Sequence, residues 1–227
     1  PYAGVPWFSA PFGRDGIITA MEMLWLNPDL AQTVLHFLAE HQGQVYEPEN
    51  DCEPGKILHE LRQGEMANLG EIPFRKYYGS VDATPLFVLL AGAYLKRTAD
   101  IDFIQGIWPQ IQQALQWMEQ IGDSDGDGFI EYCRHSTKGL VHQGWKDSDN
   151  SIFHASGQLA EAPIALAEVQ GYFYLALKRA AYLAHEMGDD KLANRLSHRR
   201  YQLKDKFQQS FWQEELGFYA LALDQKK

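Results

Sequence analysis

Two carboxylates and an indole share one short stretch of this chain, Gln143-Gly144-Trp145-Lys146-Asp147-Ser148-Asp149. Near the start, Phe12-Gly13-Arg14-Asp15-Gly16 sets a cation beside an acid. These residue types suit carbohydrate chemistry. Planar aromatic faces stack on sugar rings, bidentate charged groups read neighbouring hydroxyls, and glycoside hydrolysis needs a carboxylic acid to protonate the leaving oxygen. An Asp held against an indole loses hydration, which favours the protonated form that a general acid needs near neutral pH. Asp147 is therefore the candidate acid, with Asp149 as the alternative. The plainer reading of both is a pair of turn carboxylates, a position Asp favours.

Other clusters fit the same chemistry. Arg14 and Asp15 follow the aromatic residues Trp7, Phe8 and Phe12 and could grip two adjacent hydroxyls, although an Asp at a helix start is also an ordinary cap. Tyr77-Tyr78-Gly79-Ser80-Val81-Asp82 offers an aromatic platform, with Tyr78 and Asp82 as sugar contacts, or else a simple cap by Ser80 or Asp82. His59, Glu60, Arg62 and Glu65 are either a site or a solvated surface. Glu168 lies in an apolar helix, where an unpaired carboxylate is costly unless it faces a cavity. Asp123-Ser124-Asp125-Gly126-Asp127-Gly128-Phe129-Ile130-Glu131 resembles the first part of a calcium loop, but position twelve is Arg134 rather than Glu. Asp123, Asp125, Asp127 and Glu131 are thus candidate ligands of a structural calcium, and no cofactor is otherwise required.

The elements that must position these residues are helical. Apolar periodicity predicts helices over 15–26, 29–42, 57–66, 81–97, 101–121, 161–187 and 189–213, with a strand at 217–223. Pro85 fits the first turn of its helix, where its missing N–H costs nothing. In each long pair a largely apolar helix precedes an amphipathic one, so the first should be inner and the second outer. Long loops precede the inner helices and so share one rim, where a site would be built. The predicted class is all-α: three helical hairpins of a double ring, in a single domain over 1–227 that forms an N-terminal half. A chain that starts at Pro1 and stops after three hairpins is expected to be part of a longer polypeptide, and its open edge invites homo-oligomers.

Composition excludes some classes. The 227 residues carry a formal net charge of −10, with 45% hydrophobic and 13% aromatic content. An acidic chain without a basic stripe does not suit nucleic acid. No apolar run is long enough to span a membrane. Cys52 and Cys133 have no metal-like spacing and are read as free thiols of a reducing, cytoplasmic compartment.

Three motifs together, Pro6 to Asp15, Tyr78 to Pro85 and Gln143 to Ser148, resemble the bacterial amylo-α-1,6-glucosidase family, the glucosidase part of glycogen debranching enzymes. The segment from Leu159 to Tyr172 is similar to that family's next inner helix. The resemblance implies an (α/α)6 toroid and an inverting mechanism, with Asp147 as general acid and Arg14, Asp15 and Asp82 holding the terminal glucose of a glucan. It places the general base, a glutamate, in the second half of the toroid. His142 departs from the family's pattern, which has Asn there. Two alternatives stay open: a toroid glycosidase acting on a different glucoside, and a non-catalytic glucan-binding relative.

Overall fold

The computed structural model describes residues 1–225, built around helices α1 (Gly13–Met23), α2 (Pro28–Glu40), α3 (Glu65–Asn68), α4 (Ala83–Thr98), α5 (Ile101–Gln116), α6 (Ala167–Glu186) and α7 (Asp190–Phe211). Apart from the single turn α3, these form three hairpins. Inner helices α1, α4 and α6 pack side by side, and each carries its outer partner α2, α5 or α7. The arrangement is all-α, of the (α/α)6 toroid type. Three two-stranded pairs trim it: β1 (Tyr2–Ala3) with β2 (Ala10–Pro11), β3 (Ala165–Leu166) with β6 (Ala222–Leu223), and β4 (Trp212–Gln213) with β5 (Phe218–Tyr219), all antiparallel.

The inner and outer roles follow from where apolar residues sit. Eleven of the sixteen residues of α4 are buried, so this helix has no polar face. Only Leu196, Leu203 and Phe211 are buried in α7, spaced by about two turns on one stripe. Buried side chains such as Leu86, Phe87 and Leu90 each contribute roughly 1.5–3 kcal/mol. Two of the outer helices, α5 and α7, start at side-chain caps. Asp100 Oδ1 accepts the Phe103 N–H at 3.1 Å, and Asp189 Oδ1 accepts the Leu192 N–H at 2.9 Å. Asp100 Oδ2 also receives the Tyr94 hydroxyl at 2.8 Å and the Gln32 amide at 3.3 Å, tying α4 and α2 to the start of α5.

Three expectations differ from the structure. Of the 57–66 segment, residues 57–61 are extended rather than helical and only Glu65 and Met66 enter a helix, the short α3: Ile57, Leu58, His59 and Glu60 are buried in succession, which no one-sided helix achieves. Glu60 bridges Phe12 on one side and Tyr77 on the other. The helix expected from 161 begins at Ala167, because Ala165 and Leu166 pair with Leu223 and Ala222. The single strand expected at 217–223 is two, β5 and β6, with different partners.

Gly92 sets the approach of α6 to α4. A Cβ there would stand 2.6 Å from Arg179 Cβ, a stem atom that cannot swing away. Gly106, on exposed α5 surface, has nothing within 4 Å of an added Cβ. Ala gains roughly 0.5–1 kcal/mol over Gly in a helix, whereas overpacking costs about 1–3 kcal/mol. The same substitution should therefore have opposite signs in urea melts: Gly92→Ala lowers the midpoint and Gly106→Ala raises it.

Candidate active site

The three inner helices begin on a common rim, and each supplies a charged group there. Arg14 and Asp15 are in the first turn of α1, Asp82 is at the N-cap of α4, and Glu168 is in the first turn of α6. Arg14 Nη1 donates to Asp82 Oδ2 at 2.9 Å, with side-chain exposures of 14% and 1%. The Ser80 hydroxyl donates to Asp82 Oδ1 at 2.6 Å and accepts the Ala83 N–H at 3.3 Å, so Ser80 rather than Asp82 caps α4. Both Asp82 oxygens are engaged and almost nothing of the side chain is exposed. In this structure it holds Arg14 and leaves almost no surface of its own at the place where the sequence suggested a sugar contact.

Glycine makes this geometry accessible. The Gly13 N–H donates to the His59 carbonyl at 2.7 Å. A Cβ on Gly13 would fall 2.0 Å from the Leu58 carbonyl oxygen, so any other residue would push α1, and Arg14 with it, off the 57–61 segment.

Asp147 reaches the same neighbourhood. Burial works against the Arg14 charge, but Asp82, Asp15 and Asp147 outweigh it and hold the guanidinium pKa above its usual value. Burial also raises the Glu60 pKa; Arg62 opposes this and Asp147 adds to it. Glu60 is 2% exposed and grips Arg62 bidentately, at 2.6 Å to Nε and 3.1 Å to Nη2. Burial raises the Glu168 pKa, with Asp82 contributing and Lys146 opposing. Tyr172 stands among the same groups, its pKa raised by burial and then by Asp82 and Glu168. Arg14 thus lies in the field of Asp82, Asp15 and Asp147, Glu60 in that of Arg62 and Asp147, and Glu168 in that of Asp82 and Lys146.

The aromatic residues divide. Trp7 (87% exposed) and Phe8 (51%) line a cavity of about 440 Å³ with Arg62, Met66 and Ile72. Arg62 lies over the Phe8 ring at 4.6 Å and the Phe74 ring at 4.3 Å. Trp145 is 57% exposed, with the Lys146 ammonium 5.3 Å from its ring centre. Tyr78 is a correction: it is 2% exposed and its hydroxyl donates to the His41 carbonyl at 2.6 Å, so it offers no face to a sugar. A second correction concerns solvation. Asp147 and Asp149 are both exposed, so among the described residues the indole does not strip water from either.

Sequence reasoning missed part of the framework. Asp51 is fully buried and accepts the Tyr77 hydroxyl at 2.8 Å and the backbone N–H groups of His135 and Ser136 at 2.6 and 3.0 Å. It joins the rim loop before α4 to the loop before α6, yet its Asn-Asp context reads only as a turn. Gln170, two residues after Glu168, holds Ile130 through both its amide atoms. His154 pairs with Asp224 at 2.9 Å.

The calcium-like loop is partly assembled. Ligand oxygens of Asp123, Asp125 and Asp127 lie within 4.8 Å of one another, and Asp123 Oδ1 is buried without a hydrogen-bond partner among the described residues. Such hard oxygens fit calcium. Glu131 is not in that group; it is buried and accepts the Ser124 hydroxyl at 2.7 Å. No helix of the described chain is long and apolar enough to cross a membrane.

A family model described as "Mannosylglycerate hydrolase MGH1-like glycoside hydrolase domain" matches residues 13–226. The crystal structure of a GH78 family rhamnosidase from Bacillus sp. GL1 superposes with a TM-score of 0.64 at 14% identity. The match covers 96% of this chain and 19% of that one, so the chain spans less than a fifth of the rhamnosidase, and the likeness is one of fold. No curated protein matches the chain.

His59 yields a pH prediction. It is buried among Arg14, Arg62 and Lys56, its Nδ1 has no partner among the described residues, and burial followed by those three cations lowers its pKa to about 3. In the unfolded chain it takes a proton near pH 6.5; in the fold it does not. The stability it permits is therefore complete above pH 6.5 and falls as pH drops towards 3, at up to about 1.4 kcal/mol per unit. Thermal melts from pH 7 to 4 should show a shallower acid loss for His59→Gln than for the wild type.

Proposed function

The chain belongs to the mannosylglycerate hydrolase MGH1-like glycoside hydrolase domain family, and from that premise we propose that it forms the acid-bearing part of an inverting α-glycosidase. The substrate is a glycogen-like glucan, from which a glucosyl unit is removed at α-1,6 branch points. The observation that carries this reading is the electrostatic neighbourhood linking Arg14 with Asp82 and Asp147, and Asp82 with Glu168, four residues from four separate segments.

In this mechanism Asp147 protonates the glycosidic oxygen as the bond breaks. A second carboxylate, roughly 6.5–9.5 Å away, activates water on the opposite face of the ring. Glu60 is unsuited to that role, because Arg62 occupies both its oxygens and it is only 2% exposed. By resemblance the base is a glutamate, which no described residue matches. Arg14 spends one donor on Asp82 and keeps the rest of its fork for adjacent hydroxyls, with Asp15 accepting beside it. Trp7, Phe8 and Trp145 have exposed rings for sugars to stack on. A sugar seated over Trp145 would also shield Asp147 from water. An excess of carboxylates over cations favours a neutral polyol over an anionic aglycone such as glycerate. Asp123, Asp125 and Asp127 would hold a structural calcium away from the reaction.

In the full-length protein, Asp147→Asn should lower kcat on a branched glucan by about 10²–10⁴-fold; unchanged turnover removes the assignment. Across isomaltosyl, maltosyl, trehalose and mannosylglycerate substrates, kcat/KM should be highest for the α-1,6 linkage. A leading mannosylglycerate would overturn the substrate. Chelation with EDTA should lower the melting temperature and added calcium restore it; an unchanged melt would argue against a bound ion.

A further inference from the structure

The turn bearing Asp147 has no helix or strand of its own, so its shape depends on what its carbonyls bond to. Four of them are tied. The Gln143 carbonyl accepts Val81 N–H at 2.9 Å, beside the α4 N-terminus. The Lys146 carbonyl accepts the Ser151 hydroxyl at 2.8 Å, and the Ser148 carbonyl accepts the Ser151 N–H at 2.9 Å. The Asp149 carbonyl meets His142 Nε2 at 3.2 Å. Of these partners, His142 is the one buried side chain that reaches back into the fold.

Its tautomer follows from its neighbours. A carbonyl oxygen only accepts, so Nε2 carries the proton. Nδ1 is then bare and accepts the Tyr132 hydroxyl at 2.8 Å. Tyr132 is 4% exposed, and its backbone exchanges two hydrogen bonds with Ile164, at 3.1 and 3.0 Å. Ile164 directly precedes β3, which leads into α6 and Glu168.

We infer that His142 is a positioning residue for the proton donor, the middle of a relay from Ile164 through Tyr132 and His142 to the Asp149 carbonyl. The inference rests on Asp147 being the acid. The imidazole touches neither substrate nor the Asp147 carboxylate; it sets where the turn stands relative to the inner helix. Burial holds the ring below its usual pKa, which keeps it neutral and keeps this tautomer near neutral pH.

The test compares two substrates in the full-length protein: the best glycoside from the panel above, and the fluoride of the same sugar and anomer, whose leaving group needs no proton. His142→Ala should lower kcat on the glycoside by about 10–100-fold, the scale of a small misplacement, with KM within about twofold and the fluoride rate nearly unchanged. His142→Gln, whose amide nitrogen can reach the place of Nε2, should recover most of the loss, and Tyr132→Phe should lose less than His142→Ala. Equal loss on both substrates, or no loss on either, overturns the relay. Asp147→Asn separates the two claims: if it spares the glycoside, the acid assignment itself fails. Nitrogen-15 NMR of labelled histidine gives a readout without activity, in which an Nε2–H tautomer supports the relay and an Nδ1–H tautomer ends it.

Discussion

Arg14 and Asp82 are 68 residues apart in sequence and meet at 2.9 Å with little water around either. Taking two charges out of water costs several kcal/mol each, and their attraction offsets this only with good geometry and further hydrogen bonds. Ser80 supplies one such bond, and Asp15 and Asp147 add field. Such a pair adds little net stability when intact, but losing one partner costs about 3–5 kcal/mol. Its effect is to fix register: the starts of α1 and α4 are locked together, and the rim is assembled from that joint.

The field on this rim is lopsided by construction. Carboxylates outnumber cations, and burial disfavours the charged forms of Glu60 and Glu168. Arg14 and Arg62 are each committed to a buried acid, so they steady the negative charges more than they attract anions. The exposed aromatic residues are split between two places, with Trp7 and Phe8 around the Arg62 cavity and Trp145 beside Lys146 on the 143–149 turn.

The helices were legible because their signal is local. The apolar spacing of Ile104, Ile107, Ile111 and Leu115 needs no knowledge of the rest of the chain, and their burial follows it. The motif residues Arg14, Asp82 and Asp147 could be named from type and context alone. Their division of labour could not. Whether Asp82 touches a sugar or an arginine depends on a helix 68 residues away, and Tyr78 loses its platform role to the His41 carbonyl, 37 residues back. A short helix is expected over 57–66, but residues 57–61 do not form one. They are extended because Pro11, Phe12 and Tyr77 bracket them, which is a tertiary fact. Asp51 carries no local sign of its role as a junction between two loops.

The enclosure of α4 gives the molecule two tiers of stability. Wrapped by α1, α2, α5 and α6, that helix can open its backbone only when the whole core opens. The loops around Trp145 and Trp7 are fastened by a handful of polar contacts and can open without disturbing it. Substitutions that retune the rim therefore draw on a separate and smaller free-energy reserve, and the central helix can stay unchanged while the surface it supports diversifies.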